Sequence, residues 1–294
     1  MSKTGLTVTL AGQYYEVDSP WGSGIPGRQF TSISHIATDS RDRVYVFQRA
    51  DPPVAVFDQA GQFFTSWGDG AIADAHGIFI TADDRVFLVD RDGHQVMAFT
   101  TDGRLMLTLG DRRKPRLQAP FNHPSDIAVG PAGRIYVSDG YGNAAFHCFE
   151  PDGELVWTRG KPGRGPGEFV TPHGIWVDPR GRILIADRDN DRIQLFDMDG
   201  NYLEEWGGLY HPMDIFVDKQ GQVYVTEQVP RMTVFASDGR LIGRCRNRRI
   251  SHSVWIDSRG DIYLPGQPTA PQVPDRVEKL VHRNGAASQE QEKK

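Results

Sequence analysis

The sequence predicts an all-β protein, a six-bladed β-propeller of four-stranded blades whose ring is closed by its own N-terminal strand. Three observations carry this. A unit of four short runs rich in Val, Ile, Phe and Tyr recurs along the chain. Its copies start near Ser34, His76, Ser125, His173, Met213 and His252, a spacing of about 40–49 residues that suits propeller blades. The last copy lacks a fourth strand, and the N-terminus offers one.

The clearest copy is PHGIWVDPRGRILIADRDNDRIQLFDMDGNYLEEWG, from Pro172 to Gly207. Its apolar residues alternate within each run, and Gly, Asp and Asn turns separate the runs, which is the pattern of an antiparallel meander. AHGIFITADDRVFLVDRDGHQVMAF from Ala75, PSDIAVGPAGRIYVSDGYGNAAF from Pro124 and PMDIFVDKQGQVYVTEQ from Pro212 repeat it. A degenerate first copy reads SHIATDSRDRVYVFQR, and the sixth, SHSVWIDSRGDIYLPG, resumes at DRVEKLVHRNG after a Pro-rich insertion. Solenoid repeats are shorter or helical, and capped helix-periodic stretches are missing from this sequence. The sixth copy runs out after its third strand at Asn284 and Gly285. The N-terminal AGQYYEVDSPWGSGIPGRQF aligns with DGELVWTRGKPGRGPGEF, the fourth strand of the third copy with the segment that follows. A strand around Tyr14 to Val17 is therefore expected to complete the last blade and remove the open sheet edges. The propeller is expected to span residues 1–285. Residues 286–294, polar and aperiodic, read as a disordered tail.

Composition narrows the class of function. A net charge of −5 gives no electrostatic reason to expect nucleic acid or an anionic membrane as a partner, which leaves a small molecule as the expected one. No apolar run approaches the roughly 18 residues of a membrane span. The N-terminal MSKTGLTVTLAG lacks the apolar core of a signal peptide. Cys148 and Cys245, the only cysteines, make no disulfide framework. Together these features predict a cytoplasmic protein.

The position that opens each copy carries the chemistry. Around the ring it reads Ser34, His76, Ser125, His173, Met213, His252. First strands of propeller blades line the central channel, so alternate blades would aim three imidazoles at the axis roughly 120° apart. Three neutral imidazoles with an open fourth position form a catalytic zinc site, and suit Zn²⁺ or another transition metal far better than Mg²⁺ or Ca²⁺. His35, His123 and His211 fall near the channel mouth in the other blades and are expected to be supporting or loop residues. Asp126 and Asp214, in P-x-D-I strings, read as structural turn carboxylates. Arg49, Arg91 and Arg188 end the second strand of their blades and are expected to ring one face of the channel. Met213 would face the substrate.

These residues also carry a resemblance. The strings AHGIFIT, GHQVMAF, FNHPSDIAV, VSDGYGN, PHGIWV and IADRDNDRIQ resemble the catalytic core of the peptidyl-α-hydroxyglycine α-amidating lyases, within the NHL-repeat propellers. The resemblance implies zinc on His76, His173 and His252, proton transfer by Tyr141, and carboxylate or phenolate stabilisation by Arg49 and Arg188. The sequence departs from the family at two points. Gly142 replaces a cysteine, removing the family's disulfide there. Ser253 replaces the aspartate of a structural calcium site, to which Ile78 could still offer a backbone carbonyl. The reaction implied is the splitting of a carbinolamide into an amide and glyoxylate, with ureidoglycolate a chemically equivalent substrate. Alternatives are a metal-dependent hydrolase or hydratase at the same histidines, and a non-enzymatic NHL module binding protein or RNA. Specificity is expected in loops such as 160–170 and 265–274.

Overall fold

The alternating runs become strands because each buries one row of apolar side chains against the next blade while its Gly and Asp turns reverse the chain. The computed structural model describes residues 5–22, 24–266 and 275–283. Blade 4 shows the plan: Pro172–Val177, Ile183–Asp187, Arg192–Phe196 and Tyr202–Trp206 pair antiparallel in sequence order. Blades 1, 2, 3 and 5 begin with Ile33–Thr38, Ala75–Ile80, Asp126–Val129 and Pro212–Val217 and follow the same order. First strands of neighbouring blades touch around the ring, which puts them at the axis. The expected six-bladed, all-β propeller is what forms.

Closure also follows the expectation. In blade 6, Trp255–Ile256, Ile262–Gly266 and Arg276–Arg283 are joined by Gln13–Trp21 from the N-terminus, with Val17 opposite Leu280. The closing strand is longer than the one expected around Tyr14 to Val17, and a fifth strand, Thr7–Leu10, pairs outside it. Trp21 fastens the seam. It is buried, with its ring edge-on to Phe57 of blade 1 (5.9 Å) and Tyr263 of blade 6 (5.2 Å), and its indole N–H donates to Gln59 O at 3.0 Å. We expect Trp21→Ala to destabilise the fold by about 3–5 kcal/mol, the usual range for emptying such a site. Guanidinium denaturation of both proteins checks it, and an unchanged midpoint would contradict it. The expected tail at 286–294 lies outside the described residues, as does 267–274 of the second loop. In the first loop, Lys161–Pro162 and Glu168–Phe169 form a short parallel pair.

The channel is filled in layers. Register shifts at the start of the first strands of blades 1, 2, 4 and 5 are β-bulges, between Ile33 and His35, Ala75 and Ile78, Pro172 and Ile175, and Pro212 and Asp214. A bulge breaks strict alternation, so two consecutive side chains can turn toward the axis. Three residues beyond His76, His173 and His252, Phe79, Trp176 and Trp255 pack on one another, and the two tryptophans also meet Phe216 of blade 5, with ring centroids 4.7–6.0 Å apart. These four rings, from blades 2, 4, 5 and 6, span the axis. Beyond them, at the other mouth, lies a cavity of about 850 Å³ that none of the three histidines lines.

Candidate metal centre

His76, His173 and His252 converge as the repeat predicts. Their ring centroids are 4.7–5.0 Å apart, all three are buried, and one nitrogen from each lies within 4.8 Å of the others. Each ring is fixed from behind by the next blade. Nδ1–H of His76 donates to Ser125 O (2.5 Å), that of His173 to Met213 O (2.6 Å) and that of His252 to Ser34 O (2.8 Å). A carbonyl can only accept, so the proton sits on Nδ1 and every Nε2 presents a lone pair inward. Carbonyl-oriented imidazole of this kind is the usual backing of a metal ligand. The alternating residues Ser34, Ser125 and Met213 thus serve through their backbone. The structure gives Met213 a different part from the substrate contact expected of it: it is buried, and its carbonyl orients His173.

Burial and mutual repulsion hold the rings neutral. Burial, then His252 and His173, press His76 well below the ordinary imidazole range. Burial and His252 do the same for His173, and burial with Arg49 brings His252 down to about 3. Neutral imidazole is the ligating form. The donor set therefore fits a transition metal: three nitrogen lone pairs and no competing proton.

Tyr141 lies across this face. Its hydroxyl is 3.0 Å from His76 Nε2 and 2.9 Å from His173 Nε2, and one O–H can donate to only one of them. Arg188 Nη1 donates to the same oxygen at 3.4 Å, and the guanidiniums of Arg91 and Arg188 each sit 5.4 Å from the phenol ring centre. Arg49 completes the group, donating from Nε to Ala75 O (3.2 Å) and pairing with Asp74 (2.9 Å). Asp74 was not singled out by the sequence. It also pairs with Arg91, so one carboxylate holds two of the three arginines. Asp189 does the same for Arg188, at 3.2 Å. No spacing rule announces Asp74; its only signal is an acidic residue two positions before a ligand histidine.

The Tyr141 turn explains the DGYGN string. Asp139 and Asn143 lock its ends, with Asn143 Nδ2 donating to Asp139 Oδ2 at 2.7 Å. Asn190 bonds to Asp187 at the same distance in the ADRDN turn. Where the resemblance implied a cysteine, Gly142 donates its N–H to Asn122 O (3.0 Å) and accepts from Asn122 Nδ2 (3.1 Å). A Cβ at Gly142 would come within 2.4 Å of the Asn122 side chain. Hydrogen bonds hold this turn, and Cys148 and Cys245 are both unpaired.

His123 and His211 belong to the rim, as expected. His123 bonds to Asn122 Oδ1 (2.9 Å), and His211 lies 3.1 Å from both Arg188 O and Asp191 Oδ1. Three expectations need correction. His35 is not at the mouth, and Asp126 and Asp214 are not turn residues. All three are buried side by side, with His35 Nε2 3.1 Å from Asp214 Oδ2 and 4.0 Å from Asp126 Oδ1. The bulges in blades 1 and 5 turn His35 and Asp214 inward where simple alternation would face them away from the axis.

A six-bladed β-propeller with three imidazoles converging on its axis is the class that fold and site define. A family model described as a 6-bladed beta-propeller matches residues 118–228. NHL repeat-containing protein 3 of Mus musculus is 31% identical over 223 residues, covering 70% of this chain and 60% of that protein. Peptidyl-alpha-hydroxyglycine alpha-amidating lyase 1 of Drosophila melanogaster is 32% identical over 155 residues, 49% of this chain and 29% of that one. The chain is a homologue of both, and the match spans less than two thirds of either relative's length. A streptogramin B lyase structure (TM-score 0.66, 13% identity, 92% of this chain and 88% of that one) shares the fold. So does a gluconolactonase from Xanthomonas campestris (TM-score 0.70, 17% identity, 92% and 90%).

Proposed function

We propose that this protein is a zinc-dependent lyase that cleaves the C–N bond of a small carbinolamide, an α-hydroxy-N-acyl or ureido acid, releasing glyoxylate or a related oxo acid. The observation that carries the reading is the Tyr141 hydroxyl set against two of three converging Nε2 atoms, with two arginines 5.4 Å from its ring centre. The amidating-lyase homologues support it. His76, His173 and His252 would hold the zinc, which would supply Lewis acidity toward the substrate's oxygens. Arg188, 3.4 Å from the Tyr141 oxygen, steadies Tyr141 as phenolate, and that phenolate takes the carbinol hydroxyl proton and becomes phenol. As C–N cleavage places the electron pair on nitrogen, the same proton passes there, so the amide and the oxo acid form with no water consumed. Arg49, with Arg91 beside it on Asp74, grips the substrate carboxylate through a planar fork. Among the described residues no helix is long and apolar enough to cross a membrane. A small acid met in the cytoplasm is the substrate this reading requires.

The test is direct. Protein stripped by a chelator and reloaded with zinc is incubated with α-hydroxyhippurate and with ureidoglycolate, and glyoxylate is assayed. Release from at least one of them, only after reloading, is the expected result. If neither yields glyoxylate in a metal-dependent way, the lyase reading fails.

A further inference from the structure

The three ligand histidines come from blades 2, 4 and 6. One residue further along the opening strands, blades 1, 3 and 5 contribute His35, Asp126 and Asp214, whose ligand atoms also lie within 4.8 Å of one another. Each side chain is anchored from its outer side. Asp126 Oδ2 accepts Ile175 N–H at 3.0 Å. Asp214 accepts Ile215 N–H on Oδ1 and Val254 N–H on Oδ2, both at 2.8 Å. His35 Nδ1 lies 3.0 Å from Ile36 O. These bonds leave His35 Nε2, Asp126 Oδ1 and one face of Asp214 Oδ2 turned toward a common point.

Room for this set is built into the ligand blades. A Cβ on Gly77 would stand 2.5 Å from Asp126 Oδ1, and one on Gly174 2.7 Å from Asp214 Cα. The His-Gly pairs at 76–77 and 173–174 therefore provide a ligand at one level and clearance at the next.

Two buried polar atoms at this level lack a well-directed hydrogen bond. His35 Nε2 is buried and makes no directed hydrogen bond, although Asp214 Oδ2 is 3.1 Å away. Ser253, which holds the matching place in blade 6, is fully buried, and its Oγ also has no partner. The charge count points the same way. Two carboxylates buried in one layer carry a large desolvation cost unless a cation neutralises them. Burial and Asp214 push Asp126 upward, so the layer resists holding both charges by itself.

We propose that His35, Asp126 and Asp214 form a second metal site on the propeller axis, for a divalent transition cation such as Mn²⁺, Fe²⁺, Co²⁺ or Zn²⁺. One imidazole nitrogen with two carboxylate oxygens suits these ions better than Mg²⁺ or Ca²⁺, which prefer all-oxygen sets. A neutral imidazole, two carboxylates and a divalent ion sum to zero charge. The rival occupant is a proton. In the metal-free protein burial favours neutral His35, but Asp214 and Asp126 outweigh it and raise the ring to about 9. Metal uptake then displaces that proton.

The test counts metal in the full chain, stripped and reloaded with Co²⁺ or Zn²⁺. We expect about two equivalents in the native sequence, and about one in Asp126→Asn/Asp214→Asn and in His76→Ala/His252→Ala. Anomalous scattering should place the second ion beside His35, and His35→Gln should lose it if the double variants fold poorly. One equivalent in the native sequence, unchanged in Asp126→Asn/Asp214→Asn, overturns the second site and leaves the tris-histidine centre standing. A doubly protonated His35 by ¹⁵N NMR in metal-saturated protein overturns it as well. One equivalent that survives His76→Ala/His252→Ala but not Asp126→Asn/Asp214→Asn supports the second site and tells against the first.

Discussion

Replacing His76, His173 or His252 with alanine is expected to lower affinity for the axial metal by at least about 10³-fold, more than the 10–100-fold typical of losing a supporting partner. Each ring supplies one of three inward lone pairs, and its Nδ1 is committed to the neighbouring blade, so no ring can offer a substitute nitrogen. Metal-dependent turnover should disappear with the metal. Competition against a chromogenic chelator measures the affinity, and His→Gln at the same positions separates ligand loss from the void that alanine leaves. Affinity within tenfold of the native value in the alanine variants would remove these histidines from the coordination set. Substitutions at Ser34, Ser125 or Met213 that keep the backbone in place should have far smaller effects, because those residues act through their carbonyls.

Tyr141→Phe is expected to reduce kcat by about 10²–10⁴-fold, the range for removing a general acid–base group, while metal content stays the same. The substitution is selective here. Phenylalanine keeps the ring packed against Arg91 and Arg188 and deletes only the oxygen that reaches His76, His173 and Arg188. KM should change little, since the proposed reaction assigns the carboxylate to the arginines and not to Tyr141. Steady-state kinetics with glyoxylate detection decide it: kcat within threefold of native would show that the proton moves by another route.

The blades and their closure were legible because the repeat shows itself six times and its one missing strand has a visible donor. The tris-histidine set was legible for the same reason, since a position compared across six copies stands out where a lone histidine would not. The layer one residue along was hidden. The P-x-D-I strings of Asp126 and Asp214 read as turns, and nothing in them says which way the carboxylates face. The bulge beside Asp214 leaves no composition signal of its own. In retrospect the trace is the glycine after His76 and His173, a small residue where a strand would ordinarily carry a branched one. Asp74 was hidden differently. Its importance comes from two arginines on two blades meeting one carboxylate, and that pairing exists only after the ring closes.

The four aromatic rings beneath the histidine layers make the channel a room with one door. Any molecule reaching the imidazoles enters past Tyr141 and the arginines, and whatever forms there leaves by the same way. Two products released from one substrate would queue for that doorway, and the acidic one would linger on the cations that admitted its parent. Traffic at the threshold, as much as bond breaking at the axis, would then govern how fast the protein turns over.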